Sequence, residues 1–222
     1  MESRMDGRKK LCRYASAAAA AFLCLGVQYA AAQVRGLPLG TGGRAPREGD
    51  PFPGYYFSAG GAAAVPIGGH WGDGDSGFGP APAFSLAGAK KVDDLLSYGA
   101  ETGYGFGHKN LETGAMRVRI FHLTPFFRIS SQSGDRTYYG IFGAGIYHWT
   151  QPAFDSMGVD YDSDSGSSFG FTLGGGAVFP LRGRLKLGTE LRWHRLFTMK
   201  GDNFDVDLAN NIQPSVLLLY GF

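Results

Sequence analysis

The residues best equipped to do chemistry in this chain are Glu101, His122, Arg128, Lys186, Glu190, Arg192 and His194. Lys186, Glu190, Arg192 and His194 fall two or four positions apart, which puts them on one face of a β-strand. Leu185, Leu187, Thr189, Leu191 and Trp193 take the other face. Carboxylates, guanidinium groups and imidazoles facing one enclosed space could serve as an acid–base site or a gated polar path. They could equally neutralise one another as a salt-bridged plug. In a low-dielectric interior each of them needs a partner.

Eight stretches with strand character position these groups: Tyr55–Val65, Gly79–Ala87, Leu96–Gly107, Met116–Ile129, Thr137–Trp149, Ser167–Phe179, Leu185–Phe197 and Ile212–Phe222. Each approaches or exceeds the roughly 9–11 residues of a tilted membrane strand. The second is the weakest, because Pro80 and Pro82 remove ladder donors. A soluble sandwich with its apolar face inward would show the same alternation, so periodicity alone does not choose. The connections do: short ones follow strands two, four and six, and longer ones follow strands one, five and seven. That pattern fits a membrane barrel with a periplasmic and an exterior end. The connection after strand three is an exception to it. Glycine, at 36 of 222 residues, is roughly double the usual share of about 7%; on a narrow barrel's inner face it leaves room for neighbouring side chains. Tyr138, Tyr139, Tyr147, Trp149, Trp193 and Tyr220 are expected in an interfacial girdle.

The last stretch, I-Q-P-S-V-L-L-L-Y-G-F, alternates Ile212, Pro214, Val216, Leu218, Tyr220 and Phe222 against Gln213, Ser215, Leu217, Leu219 and Gly221. It resembles the C-terminal signal of bacterial outer-membrane β-barrels. The segment from Tyr55 to Phe222 is similar to the small barrel superfamily that includes the OmpA membrane domain and OmpX-like proteins. Residues 54–222 are thus expected to be all-β, an eight-stranded antiparallel up-and-down transmembrane β-barrel. The resemblance implies recognition of Tyr220 and Phe222 by the barrel-assembly machinery. Arg4, Arg8, Lys9, Lys10 and Arg13 precede an apolar run and Ala30-Ala31-Ala32, so residues 1–32 read as a signal peptide. Residues 33–53, rich in Gly, Pro and Arg, read as a periplasmic linker. The expected address is the outer membrane of a Gram-negative bacterium.

The full chain has 21 Lys+Arg and 19 Asp+Glu; the leader holds five of the former and two of the latter (Glu2, Asp6), leaving 16 against 17. Near-neutrality gives no argument for nucleic-acid binding. Cys12 and Cys24 both lie in the leader, so the remainder has neither disulfide nor thiolate metal site. Asp160, Asp162 and Asp164 alternate in a loop with no Lys or Arg, a spacing of oxygen ligands that suits a hard cation. Phe171 stands where a calcium loop would carry its glutamate. An acidic rim sharing divalent cations with lipopolysaccharide phosphates is a further expectation. No nucleotide, haem or zinc signature is present, and no cofactor is expected. Lipid A deacylases place a serine two residues after the catalytic histidine; after His194 that position is Leu196. A structural or surface-interaction barrel is therefore preferred over a narrow pore or a lipid A-modifying enzyme. Its expected partners are outer-membrane lipids, lipopolysaccharide and an extracellular ligand, with the charged residues as a plug, since eight strands leave a lumen just wide enough for side chains.

Overall fold

The computed structural model describes residues 54–202 and 205–222. The leader (1–32) and linker (33–53) lie outside the described residues. Twelve strands occur among the residues described: β1 (Tyr55–Ile67), β2 (Ala81–Lys91), β3 (Leu96–Lys109), β4 (Arg117–Ser133), β5 (Arg136–Gln151), β6 (Phe154–Ser156), β7 (Val159–Tyr161), β8 (Asp164–Arg182), β9 (Leu185–Leu196), β10 (Met199–Lys200), β11 (Asp205–Val206) and β12 (Ala209–Gly221). Eight of them close a barrel in the order β1–β12–β9–β8–β5–β4–β3–β2. All neighbours are antiparallel, and the seam sets Phe57 opposite Tyr220 and Ala59 opposite Leu218. The chain is an eight-stranded antiparallel up-and-down barrel.

Strand ends run further than the alternation predicts, and this removes the irregularity in connection lengths. β2 continues to Lys91, β4 to Ser133 and β8 to Arg182, leaving turns of residues 92–95, 134–135 and 183–184. The 110–116 connection is longer than any of these, so all four connections at the opposite end are the long ones. Gly134 opens its two-residue hairpin at φ 62°, the positive value that suits the right-handed twist of the flanking strands. In the 92–95 turn, Asp93 Oδ1 accepts from the backbone N–H of Leu95 (2.8 Å) and Leu96 (2.7 Å). At the far end, residues 152–163 fold into the β6–β7 hairpin, and β10 pairs with β11.

Three prolines point outward and interrupt the ladder where an N–H is missing. Pairing of β2 with β3 begins at Ala83, after Pro82. The β4–β5 ladder skips Thr124 and Pro125. The β1–β12 ladder skips Gln213 and Pro214.

Polarity decides between membrane and water. Phe57, Phe127, Ile146 and Val216 face outward at 59%, 58%, 61% and 57% exposure, while Arg128 and Glu101 face inward at 0% and 2%. A soluble barrel would do the reverse, since an apolar belt around the whole molecule is unfavourable in water. In acyl chains it is the favoured arrangement. The aromatic girdle needs correction: Tyr139, Tyr147 and Trp149 are buried inside. Each shares its face of β5 with Thr137 and Gln151, and successive residues of a strand cannot both face lipid.

Inner-face glycines make room for the side chains beside them. A Cβ on Gly176 would overlap Thr189 O and lie 2.7 Å from Tyr139 Oη, whereas one on the outward Gly61 would meet nothing within 4 Å. Gly176→Ala is therefore expected to cost about 1–3 kcal/mol by overpacking, with Gly61→Ala near neutral. Urea unfolding of both variants in lipid vesicles measures the difference.

Candidate functional site

The sequence-predicted polar residues all face the lumen. Glu101, His122, Arg128, Lys186, Glu190, Arg192 and His194 are each buried. Five strands contribute to their network. Arg192 on β9 donates through Nε to Glu190 Oε1 and through a terminal nitrogen to Glu101 Oε1 on β3. Tyr139 Oη on β5 donates to Glu190 Oε2 at 2.8 Å, and Arg128 on β4 lies 3.7 Å from the same oxygen. Arg128 also donates to Tyr56 Oη on β1 at 3.0 Å. Two arginines face two glutamates, so this layer carries no net charge.

Arg128 is wrapped as well as paired. Its guanidinium lies 4.3 Å from the Tyr139 ring centroid, 5.3 Å from Tyr56 and 5.5 Å from Phe126. Aromatic faces offer electron density to a desolvated cation, worth about 2 kcal/mol or more at such sites. These rings belong to an apolar cluster toward the turn end that includes Val178, Leu217 and Leu219. Leu217 and Leu219 enter it from the inward face of β12. Lys186 lies beside this cluster, second from the start of β9, and makes no ion pair among the described residues. Its long stem permits the ammonium to reach the aqueous mouth.

Above the ionic layer stand the histidines. His122 Nδ1 is 3.2 Å from Thr124 Oγ1, and His194 Nδ1 is 3.0 Å from Tyr147 Oη. His122 stacks on Tyr147 with centroids 5.3 Å apart and rings 17° from parallel. A cavity of about 20 Å³ adjoins His108, His122, Tyr147, His194, Asn211 and Gln213. That is room for about one water molecule.

The loop end is closed by a second apolar cluster. Trp71, Met116, Trp149, Leu196 and Met199 are its main members. Trp71 descends from the 68–80 connection and is fully buried. Its ring lies 4.4 Å from Phe78 and 5.1 Å from His108, and its Nε1 donates to Asn211 Oδ1 at 2.9 Å. The lumen is thus a neutral polar layer between two apolar stoppers. His194 is enclosed within it, away from any lipid ester on the outside.

The aspartates do not converge. Asp160 lies opposite Asp155 in the β6–β7 hairpin, while Asp164 begins β8 and accepts from the N–H of Ser165 (2.7 Å) and Asp202 (2.6 Å). Among the described residues no three His, Cys, Asp or Glu side chains come together as a metal site. Tyr220 and Phe222 remain exposed at the seam. Their rings meet at 5.2 Å, and Phe222 N donates to Tyr55 O at 2.9 Å.

Sequence reasoning missed Tyr56, Tyr139, Tyr147 and Trp71 as lumen residues. Strand parity carries the signal for Tyr139, which shares its face with Thr137. No period marks Trp71, which lies in an irregular connection.

No family model matches the chain, and no curated protein matches it. Solved structures with this fold include Neisserial surface protein A, 16% identical with a TM-score of 0.51, over 76% of this chain and 97% of that one. Another is a major outer membrane protein from Thermus thermophilus, 11% identical with a TM-score of 0.50, over 75% of this chain and 99% of that one. With its inverted polarity and closed eight-strand ladder, the chain is a transmembrane β-barrel with the fold of the small bacterial outer-membrane proteins.

Proposed function

We propose that this barrel is a non-conducting structural and surface-contact protein of the Gram-negative outer membrane. The observation that carries this reading is the lumen: a charge-balanced ionic layer held between two apolar clusters. A path for ions would need continuous hydrated space, and side chains fill the interior of an eight-strand barrel. Work is then left to the outside. The four long connections contact extracellular ligands, while the apolar belt contacts outer-membrane lipids, including lipopolysaccharide. Residues 1–32 serve as the export signal and residues 33–53 as a periplasmic linker.

Planar-bilayer recording of the refolded protein tests the reading. No stepwise current is expected from the parent or from Glu190→Gln. Stable steps whose size changes in the variant would establish the narrow pore instead. Lipid A from cells expressing the protein is expected to keep its mass; a shift abolished by His194→Ala would establish an enzyme.

Tyr220 and Phe222 are proposed as the handle for the assembly machinery. Phe222→Ala is expected to reduce the folded, heat-modifiable band in outer membranes several-fold while leaving spontaneous refolding into vesicles nearly unchanged. Equal loss in both settings would assign Phe222 to seam packing alone.

A further inference from the structure

At the loop end of β3 and β4 the barrel's outer surface changes character within one residue pair. Phe106 and Phe121 face outward at 54% and 45% exposure. Immediately above them, Lys109, Arg117 and Arg119 are also exposed and outward. Lys109 is the cross-strand partner of Arg117, and Arg119 follows two residues later on the same face. Directly opposed like charges destabilise a ladder. None of the three makes an ion pair among the described residues, and neither does Glu112 on the adjoining 110–116 connection. His148 on β5 lies next to this cluster, opposite Phe121, and is exposed.

A bulge creates this arrangement. The β3–β4 register shifts between Gly105 and His108, with Gly107 at φ 115°. Such an insertion flips the faces of every residue beyond it. Up to Phe106 the even-numbered residues of β3 face outward; past the bulge His108 is buried and Lys109 is exposed. Without it, Lys109 would enter the apolar stopper and His108 would face outward. The positive φ of Gly107 is what calls for glycine there, since a Cβ would make only ordinary contacts, 3.7 Å from Arg119 Cγ and 3.9 Å from Arg117 Cβ.

We propose that Lys109, Arg117 and Arg119 form a binding site for a phosphorylated glycolipid of the outer leaflet, of the lipid A type. The cations hold its phosphates, and its acyl chains run down over Tyr104, Phe106 and Phe121. This rests on the reading that the long connections face the cell exterior. Charge complementarity favours the headgroup, because a phosphate relieves the repulsion between Lys109 and Arg117 and accepts charge-assisted hydrogen bonds from both arginines. Continuity with the apolar belt favours a lipid over a soluble anion. The contact is direct, in place of divalent cations bridging from the acidic connections.

The test reconstitutes the whole chain in phosphatidylcholine nanodiscs doped with bisphosphorylated lipid A, with lipid A stripped of its phosphates, or with phosphatidylglycerol. Retained lipid is counted by native mass spectrometry. The phosphorylated lipid A should be retained about tenfold or more over the stripped form, an advantage that Arg117→Gln/Arg119→Gln should abolish. Lys109→Gln alone should weaken it several-fold. Equal retention of stripped lipid A would overturn the proposal, as would an unchanged double variant. Equal retention of phosphatidylglycerol would overturn the glycolipid assignment. Heat-modifiable migration is read on every sample. A parent that fails to insert sinks the membrane reading itself, whereas an inserted parent without preference sinks the site alone.

Discussion

Arg192→Met should destabilise the folded barrel by about 3–5 kcal/mol, the usual cost of removing one partner from a buried ion pair. Arg192 bridges Glu101 and Glu190, which are 2% and 6% exposed. Without it Glu101 has no cation within salt-bridge distance, and Glu190 retains only Arg128 at 3.7 Å among the described residues. Two carboxylates would then share a dry layer with one guanidinium. Adding Glu101→Gln restores neutrality around the Arg128–Glu190 pair, so the double variant should lose clearly less than the single one. Urea unfolding in vesicles, followed by tryptophan fluorescence, gives both values and their coupling. Equal destabilisation in the two would show that packing around Arg192, rather than charge balance, sets the cost.

Trp71→Ala is expected to cost a similar amount, about 3–5 kcal/mol for a fully buried large aromatic. The loss has two parts that a second substitution separates. Trp71→Phe keeps most of the apolar volume against Phe78 and gives up the hydrogen bond to Asn211, so it should cost about 1–3 kcal/mol through the unsatisfied Oδ1. The alanine variant should also expose residues 68–80 to protease while the remaining barrel stays resistant. It should not conduct, because the ionic layer below remains filled. Protease resistance equal to the parent's would place the outer closure elsewhere in the cluster.

Much of this architecture was legible because a strand exposes its environment every second residue. Leu185 to Trp193 against Lys186 to His194 gave both faces of β9 directly, and with them four lumen residues. Connection lengths supplied the direction of the apolar face. Legibility failed where that signal stops. Tyr138 and Tyr139 are adjacent, and their aromatic character hides that one faces out and the other in. The bulge at Gly107 is silent because the residue that breaks the parity has no side chain to report it. Trp71 is a lone apolar residue among glycines and aspartates, and its burial depends on contacts with Phe78, His108 and Asn211 that no local period encodes. The β6–β7 hairpin escaped because its three-residue strands fall below the length at which alternation is readable.

The ties across the lumen join strands that are not neighbours. Tyr56 on β1 reaches Arg128 on β4, and Arg192 on β9 reaches Glu101 on β3. They act as spokes within a hoop. A ring held only by its rim could flatten into an ellipse under lateral pressure from the bilayer, but one with internal struts keeps its cross-section. The long connections therefore rise from anchor points at fixed mutual spacing, whatever the surrounding lipid does.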